Sequence, residues 1–250
     1  MEAFTVVMPV HNEEKYLPLS LPSVYNIRPS EIILIFDNCT DHSIEVAKRI
    51  MQKYDPTQLI TKCVNDLPKT TEYTFRVAYV KRLGMSLASY NTALIVDADT
   101  ILNPRIRDCL SQIERFPFIS FGRIDYPINW RNQIKHVLGF IPLWKNERLT
   151  GLYAVDINKR NECEDSELIK SISLGEDTFL QQSIRKKYST KHYDINSFHL
   201  RPREDSKLHY RRGLYYWKTA RRGFFKTILS AIISGRLNLI KGYIHARFKG

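Results

Sequence analysis

The stretch LIVDADTIL, residues 94–102, continues an apolar run that begins at Ala93 and drives it straight into two carboxylates separated by one alanine. Strand side chains alternate, so an extended continuation through Asp97 and Asp99 aims both carboxylates at one side. Two like charges that close repel each other. A hard divalent cation such as Mg2+ or Mn2+ relieves the repulsion, because such ions prefer oxygen ligands and a phosphate can complete the shell. The competing reading is a solvated turn, with Asp99-Thr100 opening a loop before Asn103-Pro104. The surrounding pattern has to decide.

That pattern alternates strand and helix. FTVVMPV (4–10) reads as a buried strand, broken at Pro9 and followed by His11-Asn12-Glu13-Glu14 at the start of a short helix. EIILIF (31–36) reads as a second strand ending at Asp37, and residues 38–54 read as a helix introduced by the capping types Thr40, Asp41 and Ser43. QLITKCV (58–64) is a weaker strand, Val77, Val80, Leu83, Leu87 and Ala88 recur at helical spacing, and TALIVDAD (92–99) is the fourth strand. Such alternation predicts βαβ units and a mainly parallel sheet, in which ligands bind beyond the carboxyl ends of the strands. Three polar clusters fall at those ends: His11–Glu14, Asp37–Asp41 and Asp97–Asp99. Their coincidence favours a functional aspartate pair. No Gly-x-Gly-x-x-Gly follows the first strand and no Gly-x-x-x-x-Gly-Lys-Ser/Thr occurs, which argues against a dinucleotide site or a P-loop. A nucleotide held by carboxylates and a metal stays open.

Beyond residue 103, Ile106, Leu110 and Ile113 suit a helix, FISFGRI (118–124) a strand, and Ile134, Val137, Leu138 and Ile141 one face of another helix. TGLYAVDI (150–157) is strand-like, and Gly175-Glu176-Asp177 precedes a helical run. An acid in that place is a helix cap or macrodipole partner when it has no other task. The four cysteines, Cys39, Cys63, Cys109 and Cys163, show neither zinc-ribbon nor disulfide-framework spacing, as expected of a reducing cytosol. Neither a signal peptide nor a membrane-spanning run is read. The net charge of +12 is a tail property: residues 201–250 hold 13 Lys/Arg against two acids, leaving 25 against 24 in the first 200.

The chain resembles the family 2 glycosyltransferases of GT-A fold. The resemblance is carried by VVMPVHNEE (6–14), IILIFDNCTDHSIEVA (32–47), KRLGMSLASYNTALIVDADTIL (81–102) and LGEDTFLQQSI (174–184), four segments in the family's order. It implies an α/β, Rossmann-like nucleotide-diphospho-sugar transferase domain over residues 1–200, with a nucleotide-binding half (1–103) and an acceptor half (104–200). By position, it makes Pro9 and Glu13 part of the loop around the nucleotide and Asp37 the contact to its base. It makes Asp97 and Asp99 the Asp-x-Asp pair for ribose and metal, and Asp177 the catalytic base beside Glu176. One departure is Asn38, where the family often has a second acid, which leaves the donor nucleotide, UDP- or GDP-linked, open. The resemblance also offers His199 as a third ligand to Mn2+ or Mg2+.

The chemistry agrees with these roles. A departing diphosphate gathers negative charge that a metal at Asp97/Asp99 can stabilise. Arg82, Arg201 and Arg203 are candidate diphosphate contacts, since a guanidinium binds phosphate through two parallel N–H donors. Asp177, held ionised by its helix end, can take the acceptor's proton, so that single displacement inverts the anomeric carbon. A covalent sugar intermediate would need a second carboxylate, and Glu176 is the obvious neighbour.

The tail, 201–250, interleaves cations with Tyr215, Tyr216, Trp217, Phe224, Phe225, Ile228, Leu229, Ile232 and Ile233. This is the composition of a segment lying on an anionic membrane surface at the cytoplasmic face, with a glycan or lipid-linked acceptor to match. The alternatives are helices that cap the core, and a non-catalytic basic protein binding nucleic acid or membrane on a GT-A-like scaffold. Nucleic acid is the less economical partner, because it leaves the acids at three strand ends without a task.

Overall fold

β1 (Thr5–Val10) and β2 (Glu31–Phe36) are almost unbroken apolar runs, and both are buried on their two faces. This is what a parallel strand covered by helices on each side requires. The computed structural model describes residues 3–54, 60–64, 76–125, 151–164 and 176–201, and from the C-terminal region 210, 213–214, 225, 227–228, 231–232 and 237–248. The expected helix through Ile134–Ile141, together with Gly175, Arg203, Tyr215, Tyr216, Trp217, Phe224, Leu229 and Ile233, lies outside the described residues.

The remaining described elements follow in chain order. They are α1 (Leu17–Asn26), α2 (Ser43–Tyr54), β3 (Ile60–Val64), α3 (Arg76–Leu87), β4 (Thr92–Ile95), β5 (Thr100–Ile101), α4 (Ile106–Leu110), β6 (Phe118–Asp125), β7 (Tyr153–Asp156), α5 (Ile157–Cys163), α6 (Glu176–Arg185), β8 (Lys191–His199) and α7 (Leu237–Phe248). One sheet runs β3-β2-β1-β4-β7-β6-β8-β5. From β3 to β4 the pairings are parallel, as expected. The later strands join antiparallel, β7 to β4 and β6, and β8 to β5. The chain moves outward through β1, β2 and β3, then returns through α3 to place β4 on the other side of β1. That reversal opens a crevice at the carboxyl ends of β1 and β4.

Val6, Met8 and Leu34 join one core with α1, α2 and α4, while Val7, Ile33 and Ile35 join a second with α3 and α6. Helix α3 lies close on the sheet at Gly84, where a Cβ would come within 2.2 Å of Val7 Cγ1. At the amino end of β2, buried Glu31 accepts hydrogen bonds from Thr5 Oγ1 (2.7 Å), Ser89 N (2.8 Å) and Ser89 Oγ (2.9 Å).

Two local expectations are corrected. Helix α1 starts at Leu17, not at His11–Glu14, because Pro at its first turn fixes the entry and the preceding residues form a loop with Asn12 at φ 56°. β4 ends at Ile95, and Asp97–Thr100 closes a turn through Thr100 N donating to Asp97 O at 3.0 Å. Asp97 and Asp99 therefore do not continue an extended strand, and their carboxylates take different partners.

By contacts, the chain divides into two compact units, one of residues 1–124, 149–171 and 175–200, the other of 125–148, 172–174 and 201–250. Within the second, α7 buries Leu239, Tyr243 and Ala246. Gly242 passes so close to Tyr210 that a Cβ would lie 2.0 Å from its carbonyl oxygen.

Candidate active site

The loops after β1 and β2 are tied to each other. Asn12 and Asn38 both adopt left-handed backbone, at φ 56° and 50°, a region asparagine tolerates better than most residues. Asn12 Oδ1 accepts from Thr40 N at 2.8 Å, Ser43 Oγ from Glu13 N at 2.7 Å, and Asp41 from Glu14 N at 3.1 Å. Asp41 also caps α2 by accepting from Ser43 N at 3.0 Å, and its carboxyl is held below the ordinary value: burial opposes this, and the bonds from Ser43 and Glu14 outweigh it. Glu13 is buried in this seam, while Pro9 does not break β1 as expected but is its penultimate residue, paired with Ile35 of β2. Asp37 accepts Nε of Arg76, the first residue of α3, at 2.5 Å, and its backbone carbonyl accepts His11 Nδ1 at 2.5 Å.

At the carboxyl end of β4, the two aspartates have distinct surroundings. Asp97 lies between two cations, with Arg123 Nη1 of β6 at 3.5 Å from Oδ2 and Lys81 Nζ of α3 at 3.9 Å from Oδ1. Gly151 borders it so closely that a Cβ there would stand 2.3 Å from Asp97 Oδ2. Buried Asp99 faces His199 instead, with Oδ2 3.1 Å from Nε2. The pairing of β5 with β8 fixes that contact: Thr100 and His199 are register partners, and Leu200 N donates to Asp99 O at 2.8 Å.

Helix α6 supplies the remaining acids from its first turn. Glu176 Oε1 accepts Lys81 Nζ at 2.8 Å, so Lys81 touches both the β4 turn and the α6 start. Burial alone would pull the Lys81 ammonium down, but the Glu176 and Asp97 carboxylates outweigh it and hold the ammonium well above its ordinary value. Asp177 Oδ1 accepts Thr178 N at 2.8 Å. Its carboxyl is pushed up to about 6 by burial first and by the Glu176 charge second, with Lys81 opposing. Burial thus works against the expected support of the Asp177 charge by the helix end, and the carboxyl stands above its ordinary value. A carboxylate with this affinity for protons is ionised at neutral pH yet basic enough to accept one.

Other expected residues stand elsewhere. Arg82 pairs with Glu164 at 3.5 Å. Arg201 is exposed and begins the last segment of the second unit. Sequence reading missed Lys81, Arg123 and Arg76. Lys81 had a signal: it sits with Ala78 and Met85 at helical spacing on the buried stripe of α3, where a lysine is out of place unless paired. Arg123 carries no such mark, because its partner lies across the sheet.

Among the described residues, no three His, Cys, Asp or Glu side chains converge closely enough to hold a metal ion. Two do suit one. The 3.1 Å between Asp99 Oδ2 and His199 Nε2 is the separation of adjacent ligands around an octahedral ion with bonds of about 2.1 Å. A carboxylate and an imidazole also form a donor set that Mn2+ accepts, with water or phosphate oxygens completing it.

Three solved structures share this fold across most of the chain. The mannosyltransferase PcManGT from Pyrobaculum calidifontis, in complex with GDP-Man and Mn2+, matches with a TM-score of 0.63 at 15% identity, covering 99% of this chain and 75% of that one. S. aureus TarS 1–349 in complex with UDP-GlcNAc matches with a TM-score of 0.58 at 14% identity, covering 98% and 81%. M. tuberculosis glucosyl-3-phosphoglycerate synthase matches with a TM-score of 0.53 at 12% identity, covering 82% and 74%. No curated protein sequence matches the chain. The model of one family, glycosyl transferase family 2, matches residues 5–208, from the first strand to beyond the last strand of the sheet. The chain is a glycosyltransferase and belongs to glycosyl transferase family 2.

Proposed function

We propose that this protein is a metal-dependent, inverting glycosyltransferase that moves a hexose from a UDP- or GDP-linked sugar to an acceptor hydroxyl or phosphate oxygen. The observation that carries the reading is the meeting of two acidic groups at one crevice: Asp97 and Asp99 after β4, and Glu176 and Asp177 at the start of α6, joined through Lys81. Fold neighbours that hold UDP-GlcNAc or GDP-Man with Mn2+ support a nucleotide-sugar donor and a divalent ion.

Asp99 and His199 would hold Mn2+ or Mg2+, with Asp97 beside them. The ion, when bound, supplies Lewis-acid stabilisation of the charge gathering on the departing diphosphate. Glu13 lies in the loop around the nucleotide, with Pro9 just before it at the end of β1, and Asp37, its carboxylate steadied by Arg76, faces the base. Asp177 takes the proton of the acceptor hydroxyl as it attacks, and single displacement inverts the sugar. Glu176, engaged by Lys81, is poorly placed to act as the nucleophile of a double displacement.

The acceptor is a glycan or lipid-linked molecule presented at a membrane surface, in our reading the cytoplasmic face. From residue 206 onward the chain has no acid. In α7, Lys241, Ile244, His245 and Phe248 share one exposed face at helical spacing, and Phe225 is 85% exposed. Cations beside exposed aromatics suit anionic headgroups. No described helix is long and apolar enough to cross a bilayer. Binding of UDP and GDP, measured by calorimetry with and without Mn2+, tests the central reading. Metal-dependent binding of either supports it and names the nucleotide, whereas no binding of either under any metal rejects it.

A further inference from the structure

Among the described residues, Lys81 is the side chain that touches both acidic groups of the crevice. Its side chain is only 5% exposed, with Nζ 2.8 Å from Glu176 Oε1, 3.9 Å from Asp97 Oδ1, and 5.8 Å above the ring of Tyr153. Packing does not explain it. An ammonium withdrawn from water is unfavourable unless paired, so a methionine would hold α3 on the sheet as well or better. Gly84, one turn further along α3, already brings the helix onto Val7. The lysine's gain is positional, since α3, the β4 turn and α6 are distant in sequence and meet at its ammonium.

We propose that Lys81 is a positioning residue, which fixes the first turn of α6 against the β4 turn so that Asp177 alone is left to take the acceptor's proton. The proposal rests on the reading of Asp177 as that base. Among the described residues, Asp177 is faced by Glu176 from its own helix, Lys81 from α3, Asp97 from beyond β4, and buried Tyr153 from β7. Lys81 is the cation among them. Removing its charge leaves Asp177 facing two carboxylates, which makes its proton harder to lose. Removing the charge of Glu176 does the reverse.

The test uses the whole chain and the variants Lys81→Met, Lys81→Arg and Glu176→Gln. Asp177 is titrated by NMR of carboxyl-labelled aspartate, assigned with Asp177→Asn, and kcat and KM are measured against pH. Lys81→Met is expected to move the Asp177 titration to higher pH and Glu176→Gln to lower pH. At pH 7, Lys81→Met should lower kcat by about 10- to 100-fold, the scale of a misplaced catalytic group, while donor KM changes by less than about threefold. Lys81→Arg should restore most of the loss. Shifts in one direction for both variants, no shift in either, or a loss confined to donor KM would overturn the proposal. If thermal unfolding shows that Lys81→Met does not fold, the downward shift in Glu176→Gln and the near-normal kcat of Lys81→Arg must both appear for the proposal to stand. Because the titration needs no turnover, the two readings fail separately. Opposed shifts in a chain that transfers no sugar refute the base, and active enzyme with an unmoved titration refutes Lys81.

Discussion

His199 Nε2 stands 3.1 Å from Asp99 Oδ2 because the two-residue strand β5 takes its place beside the end of β8, with Thr100 opposite His199. A histidine about one hundred residues away is thus fixed beside the second acid of the Asp-x-Asp turn by backbone pairing. If the pair holds the divalent ion, Asp99→Ala should lower kcat/KM by about 10²-fold or more, the scale seen when a group stabilising developing charge is removed. His199→Ala should behave differently, with activity partly recovered at high Mn2+ because weakened binding yields to mass action. Titrating activity against Mn2+ for both variants checks this, and a His199→Ala curve identical to wild type would remove the histidine from the metal site.

Asp177 should trade stability for chemistry. Its carboxyl is pushed from 3.8 to about 6 in the folded chain. Between those values the folded state binds the proton more tightly than the unfolded state, so stability falls as pH rises from about 4 to about 6 and stays lower above. Asp177→Asn should nearly abolish transfer yet stabilise the protein above pH 6 by about 1–2 kcal/mol, with no gain at pH 4. Denaturant unfolding of both proteins at pH 4 and pH 7.5 measures the difference. An equal ΔΔG at the two pH values would show that the Asp177 carboxyl is not perturbed by its site.

Glu31 should be the reverse case, a carboxylate that serves the fold alone. It sits at the start of β2, at the opposite end of the strand from Asp37, and bolts Thr5 to Ser89. Truncating it leaves buried donors facing a void, so Glu31→Ala should cost about 2–4 kcal/mol. For a chain of this size that is a fall in Tm of roughly 5–15 °C. Specific activity at 25 °C should be unchanged, and a lost kcat with unaltered Tm would contradict the assignment.

The parallel half of the sheet was legible in the sequence because strands buried on both faces must be continuous apolar runs, as Thr5–Val10 and Glu31–Phe36 are. So were the acids at the strand ends. The local course of Asp97–Asp99 was not, since Asp-Ala-Asp-Thr is compatible with either an extended chain or the turn it forms. The antiparallel half depends on register between segments far apart, and a two-residue strand such as β5 leaves no periodicity to read. Arg123 was hidden by its residue type, and Lys81 showed only as a lysine set among apolar residues at helical spacing. Lysine and arginine are presumed to face water, and only their carboxylate partners, Glu176 and Asp97, explain why they do not.

Gly151 gives the most direct way to move Asp97 without deleting it. Its backbone is not in the left-handed region, so alanine is tolerated by the chain, but the added Cβ would meet Asp97 Oδ2 at 2.3 Å and Cγ at 3.1 Å. The obstacle is the end of a side chain, partly exposed, and the carboxylate can swing aside at little expense to the fold. In doing so it leaves Arg123 and Lys81, which hold it at 3.5 and 3.9 Å. Gly151→Ala should therefore keep Tm within about 2 °C of wild type, as a surface-level change in stability would. It should weaken UDP or GDP binding and lower kcat/KM for the donor by about tenfold or more, because a displacement near 1 Å at a positioned group has consequences of that order. Restoring space by Asp97→Ala in the same chain should produce no further loss beyond Asp97→Ala alone, the non-additivity expected when both changes act on one carboxylate. Full additivity in that double-mutant cycle would mean that Gly151 acts on the donor by another route.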